Sequence, residues 1–174
     1  MGCSKNLVDS ESLMRLLGKK GYDVHHDSDN PQGEYVVVNT CGFIGDAKEE
    51  SIQAVLEAVE RKRNGEAEKV IVFGCLSQRY ASELPDLIPE VDAWFGAREF
   101  DPVIRKLGAE PDPEIRNRRY LTTPSHYAYL KIAEGCDNRC AYCAIPLIRG
   151  KLRSRPIEDI VVEAQQLDRE GVKE

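Results

Sequence analysis

The chain holds no apolar run long enough to cross a membrane, and its first residues, MGCSKNLVDSE, carry charge early and form no apolar signal segment. Membrane and secretory classes are set aside, and a cytoplasmic, reducing compartment is expected. An excess of positive charge is also missing, since 24 Lys and Arg face 30 Asp and Glu for a net charge of −6. Nucleic-acid binding is not expected from this portion of chain, and protein or small-molecule partners are favoured. There is no internal repeat and no low-complexity tract. Asn6 stands where an N-myristoylation signal needs Ser or Thr, which removes that form of anchoring.

What is present suits an ordinary globular protein. The 174 residues, 41% hydrophobic and 31% charged, are enough for one good core and part of a second domain. Leu7, Met14 and Leu17 fall near one helical face over residues 7 to 17, and Gly18 and Gly21 supply stop signals. Tyr22 to His26 is a short strand candidate, followed by the turn-rich SDNPQG from Ser28 to Gly33. YVVVN, from Tyr35 to Asn39, and KVIVF, from Lys69 to Phe73, are β-branched runs without polar alternation, the pattern of parallel strands buried on both faces. Between them Ile44, Ala47, Ser51, Val55, Ala58 and Val59 recur at helical spacing, with Asp46, Glu49 and Glu50 near the helix start. LSQRYASEL reads as helical, Val91 to Phe95 as a further strand, and Asp101 with Pro102 as the start of a short helix to Leu107. Buried strands alternating with helices predict an α/β fold with an open parallel sheet.

Two sets of cysteines carry the chemistry. In YAYLKIAEGCDNRCAYC the spacing C-x₃-C-x₂-C places Cys136, Cys140 and Cys143 in one short loop. Three thiolates there leave one corner of a four-ligand iron–sulfur site open for a small molecule. The competing reading is a structural zinc site completed by a residue such as His126. Six cysteines in a reducing compartment favour metal or catalytic roles over disulfides. Cys41 and Cys75 each end a strand candidate, and Cys3 has the same Gly–Cys–helix setting with no strand before it, so a strand is expected to be missing there. Because the carboxyl ends of parallel strands share one edge, these three cysteines can converge on a second metal site, with Gly2, Gly42 and Gly74 permitting close approach. The bland alternative is that they are buried small apolar residues.

Beyond the proline-rich GAEPDPEIRN, from Gly108 to Asn117, His126 to Ala133 is a strand candidate. Pro156 opens a helix with Ile157, Ile160, Val161, Ala164 and Leu167 on one face. A strand and helix without a returning strand make half of a βαβ unit. The expected organisation is a domain over residues 1–108, a linker over 109–124 and the start of a second domain over 125–174. The basic run Arg149, Lys151, Arg153 and Arg155 reads as a solvated loop ahead of an anion site. His25 and His26 read as surface residues, and Ser51 and Asp46 show no hydrolytic arrangement.

The triplet, with Tyr142 before its last cysteine, resembles the radical S-adenosylmethionine signature. GCSKNLVDSE, NTCGFIGDAKEES, GCLSQRY and the stretch from Tyr127 to Pro156 together resemble the methylthiotransferase family, in the wording of its ribosomal-protein branch and not its tRNA branch. That resemblance implies a flavodoxin-like first domain, followed by the first strand and helix of a radical SAM TIM-like barrel. It implies two 4Fe-4S clusters, one on Cys136, Cys140 and Cys143 that binds S-adenosyl-L-methionine and yields a 5′-deoxyadenosyl radical, the other on Cys3, Cys41 and Cys75 that handles the inserted sulfur. The implied reaction adds a methylthio group to the β-carbon of an aspartate in small-subunit ribosomal protein twelve, with an electron donor as further partner. Most of the barrel and the family's C-terminal domain are not in this sequence, so the chain alone is expected to be inactive.

Overall fold

A computed structural model describes residues 2–26, 33–112 and 118–174. The chain runs α1 (Ser4–Lys19), β1 (Gly33–Thr40), α2 (Gly45–Arg63), β2 (Ala67–Gly74), α3 (Cys75–Arg79), α4 (Leu84–Leu87), β3 (Ala93–Gly96) and α5 (Phe100–Lys106). The second part adds β4 (Ala133–Glu134), α6 (Ile145–Arg149), β5 (Arg153–Ser154) and α7 (Ile157–Arg169).

β1, β2 and β3 form a parallel sheet in that order, with Val37 opposite Ile71 and Phe73 opposite Phe95. Strand periodicity divides their side chains between two cores. Ile71, Phe73, Val37 and Phe95 meet Leu13, Leu16 and Leu17 of α1 and Val103 and Ile104 of α5 on one face. Val38, Val70, Val72 and Trp94 meet Val55, Ala58 and Val59 of α2 on the other. Both faces are covered, which explains why YVVVN and KVIVF lack polar alternation. The open parallel α/β sheet is as the sequence predicts.

Several local expectations are corrected. The buried face of α1 is Leu13, Leu16 and Leu17, while Leu7 and Met14 are half-buried. LSQRYASEL divides into α3, a turn and α4. Tyr22 to His26 forms no strand. Together with β1 and residues of α1 and α2 it instead bounds a cavity of about 410 Å³, lined by Met14, Val24, Tyr35, Val37 and Ala54 among others. Helices from both faces of the sheet line this cavity, so it lies in the plane of the sheet beside the outer edge of β1. Turn residues 28–32 and linker residues 113–117 lie outside the described residues.

The strand expected over His126 to Ala133 is also reduced, to Ala133–Glu134, which pairs antiparallel with Arg153–Ser154. Upstream of it, backbone groups find other partners: Arg119 Nη2 donates to the Tyr129 carbonyl and Arg155 Nη1 to that of Lys131. At the far end, Glu174 N donates to His126 O at 3.0 Å and Ala128 N to Glu174 O at 2.8 Å. That exchange has the sense of parallel neighbours, so the chain leaving α7 returns beside the segment that precedes the cysteine loop. The apolar stripe of α7 is uncovered, with Ile157, Val161 and Val162 exposed, and its buried residue is Glu163.

Candidate metal centre

Two of the three cysteines of the N-terminal set, Cys3 and Cys75, meet at Asn6. Cys3 is the N-cap of α1, Cys41 follows β1 and Cys75 opens α3 directly after β2. Asn6 is fully buried one turn into α1, and its Nδ2 donates to the Thr40 carbonyl at 2.9 Å. Its Oδ1 faces the thiols of Cys75 at 3.6 Å and Cys3 at 3.9 Å. Asn39 Nδ2 holds the same turn from below, donating to Asn6 O at 2.8 Å and Ser10 Oγ at 2.9 Å. Cys41 is fixed by Ser51, whose hydroxyl accepts from Cys41 N at 2.9 Å and donates to Cys41 O at 3.0 Å. Ser51 therefore orders the cysteine turn.

Two glycines make this convergence possible. Gly74 has φ of 116°, and a Cβ there would lie 2.5 Å from Thr40 O. At Gly42 a Cβ would lie 2.7 Å from Leu76 Cα. Side chains at either position would force apart the turns that carry Cys41 and Cys75.

The C-x₃-C-x₂-C loop is closed at its base by the β4–β5 pair. Cys136 N donates to Gly150 O at 3.0 Å and Cys143 N to Cys140 O at 3.1 Å. Cys140 is exposed, while Cys136 and Cys143 are half-buried. Immediately after Cys143, Ala144 and Ile148 pack against Cys75 in one small apolar cluster. The short helix leaving one cysteine set thus rests on the other.

Arg149 ends that helix and is only 4% exposed. Its Nη2 donates to Asn6 Oδ1 at 2.6 Å and to Cys75 Sγ at 3.3 Å, and its Nη1 to Asp9 at 3.0 Å and Glu134 at 3.1 Å. The expectation of a solvated basic loop fails here. Lys151 and Arg153 are exposed, but Arg149 is buried and Arg155 pairs with Glu163. Burial pushes the Cys75 thiol above its ordinary value, the Arg149 guanidinium acts against that, and the neighbouring Cys3 and Cys41 thiols add to the rise. Burial alone would favour a neutral Lys131, but Asp9 and Glu134 outweigh it and raise its pKa.

A second buried network ties the parts together beneath the site. Glu11 of α1 accepts from Arg119 Nη1 at 2.9 Å and from Thr122 N at 2.8 Å. Arg119 Nε stands 2.9 Å from Glu163 of α7 but out of line for a hydrogen bond. The side chains of Glu11, Arg119 and Glu163 are almost wholly buried.

Among the described residues no three His, Cys, Asp or Glu side chains are gathered on a single-ion site. His126, the sequence's candidate fourth zinc ligand, is exposed, with its ring edge-on to Tyr127. The donor sets nonetheless suit clusters, because each offers three soft thiols, and a four-iron core holds thiolates farther apart than one ion does. Sequence reasoning missed Asn6 and Arg149. Asn6 lies three residues past Cys3, the spacing that places it on the same face of the first helical turn.

The fold and site define a parallel α/β domain with thiols at its strand ends, clasped to a segment that carries its own cysteine loop. The chain belongs to the family described as Uncharacterized protein family UPF0004, whose model matches residues 1–96. Over all 174 residues it is 56% identical to a Bacteroides fragilis protein named ribosomal protein uS12 methylthiotransferase RimO. Identity to proteins of the same name is 56% for Porphyromonas gingivalis and 49% for Cytophaga hutchinsonii. The chain spans 40% of the length of each of these curated relatives.

Proposed function

We propose that this chain is part of a cytoplasmic radical S-adenosylmethionine methylthiotransferase that modifies an aspartate of ribosomal protein uS12 at its β-carbon. Support comes from 56% identity over all 174 residues to a protein named for that activity, together with the six cysteines the reading needs, disposed as two sets of three. The observation that carries the reading is the convergence of Cys3 and Cys75 on Asn6, with Cys41 held at the adjoining strand end. No helix among the described residues is long and apolar enough to cross a membrane.

In this reading Cys136, Cys140 and Cys143 hold one 4Fe-4S cluster, and Cys3, Cys41 and Cys75 hold the other. When bound, the first supplies an electron and an open iron for the amino and carboxylate groups of S-adenosyl-L-methionine, and the second an open iron for sulfur. The chain's own residues supply orientation. The β4–β5 clasp closes the triplet loop, Asn6 and Ser51 hold the strand-end turns, and α6 fixes the separation of the two sets. The parallel return of residue 174 beside residues 126–128 supports the start of a βα barrel, with the first domain over residues 1–108 and the second from 125.

The test is anaerobic reconstitution of the longer polypeptide with iron and sulfide, followed by reduction with S-adenosyl-L-methionine. The reading expects 5′-deoxyadenosine, and a methylthio mass increment on uS12 with tRNA left unmodified. Modification of tRNA alone would transfer the chain to the tRNA branch. Redox cycling without cleavage would make it an electron carrier, and a colourless protein with stoichiometric zinc would end the cluster reading.

A further inference from the structure

A guanidinium buried with carboxylates on one side and a sulfur on the other needs more explanation than a structural clasp provides. Arg149 divides its fork: Nη1 meets Asp9 and Glu134, while Nη2 meets Asn6 Oδ1 and Cys75 Sγ at 3.3 Å. Asp9 and Glu134 also hold Lys131, and Glu134 holds Lys5, so two carboxylates face three cations and positive charge is left over beside the sulfur. The residue belongs to the segment that carries the other cysteine set, six positions after Cys143. A lysine, a point charge on a flexible stem, cannot span carboxylates and sulfur together as the planar fork does.

We propose that Arg149 is a positioning residue for the strand-end site, holding the Cys75 sulfur by a charged hydrogen bond and so setting the reduction potential of the group bound there. Hydrogen bonds and positive charge at a ligating sulfur stabilise the reduced, more negative state, and the axis of control is the protein's surroundings and not the ligand set. Because this arm comes from the segment of the triplet loop, the potential of one site depends on the docking of the other. The inference rests on the proposed cluster on Cys3, Cys41 and Cys75.

The test uses the longer polypeptide with Cys136, Cys140 and Cys143 replaced by alanine, so that one cluster reports. It is reconstituted with iron and sulfide and titrated by electron paramagnetic resonance. Arg149→Met is expected to move the midpoint potential to more negative values at unchanged iron content, and Arg149→Lys to move it part of the way. Asp9→Asn, which cuts the carboxylate arm alone, should leave the potential in place or move it positively. A potential unchanged in Arg149→Met, or moved to more negative values by Asp9→Asn as well, would reduce Arg149 to a clasp and overturn the inference alone. Should Arg149→Met fail to fold, the Arg149→Lys shift decides, and its absence overturns the inference. Failure of the alanine background itself to assemble a cluster overturns the underlying reading, and the inference with it.

Discussion

Arg149 Nη2 lies 3.3 Å from Cys75 Sγ, although the two residues are 74 positions apart and belong to different cysteine sets. Around that contact the molecule is one unit: α6 packs on Cys75, and two buried charge networks lock the second segment onto α1.

The lower network should be the more costly to break. Arg119→Met leaves the buried Glu11 carboxylate without its Arg119 partner and Glu163 with Arg155 alone, and a loss of about 3–5 kcal/mol is expected. Urea denaturation gives the size. Limited proteolysis should show the segment beyond residue 118 cut first, and an unchanged midpoint would contradict the role assigned to the pair.

Gly74→Ala should disturb the site more than its size suggests. The left-handed φ costs about 1–3 kcal/mol for a non-glycine residue, and the new methyl meets Thr40 O. Destabilisation should be accompanied by loss of iron retention at Cys3, Cys41 and Cys75. Full iron content in a destabilised variant would separate stability from site geometry.

Asp92 sets an acid limit on the parallel sheet and its helices. Its carboxylate accepts from Val70 N at 2.7 Å and from Lys62 Nζ at 2.6 Å, joining α2, β2 and the approach to β3. Burial pushes the Asp92 carboxyl up, but the hydrogen bonds from Lys62 and Val70 outweigh it and hold it below the usual aspartate value. Its contribution is therefore complete above the unfolded value near ~3.9 and disappears as pH falls through the lower folded one. Asp92→Asn should lose about 1–2 kcal/mol at neutral pH and flatten the acid limb of a Tm-against-pH curve. A parallel downward shift at every pH would contradict the assignment.

The cavity beside β1 lies in the plane of the sheet. A strand running parallel to β1 in that slot would end next to Gly2 and Cys3, because Asn6 is bonded to Thr40 at the end of β1. Adding a β-branched segment ahead of Gly2 should slow hydrogen exchange at the outer amides of β1 and raise Tm. Unchanged exchange there would show that the slot is not a strand site.

The sheet was legible because burial on both faces writes itself as unbroken β-branched runs, as in Val70, Ile71 and Val72. The strand-end cysteines were legible for the same reason, since a glycine and a cysteine follow such runs. Tyr22 to His26 misled because a strand needs a neighbour, and its neighbour's place is a cavity. Arg149 misled because charge pattern predicts solvent, whereas Asp9 and Asn6 lie more than 100 positions away. No local signal encodes such pairings. In the sequence Asn6 excludes a lipid anchor and signals nothing more, yet in the structure it joins Cys3, Cys75, Thr40 and Arg149.

Counting iron and acid-labile sulfide in the reconstituted longer polypeptide tests the two-site arrangement most directly. The intact sequence should hold two four-iron clusters, and replacement of Cys3, Cys41 and Cys75 by alanine should leave one, with reductive cleavage of S-adenosyl-L-methionine retained and sulfur insertion lost. Loss of all iron and of both activities in that variant would contradict two separate sites.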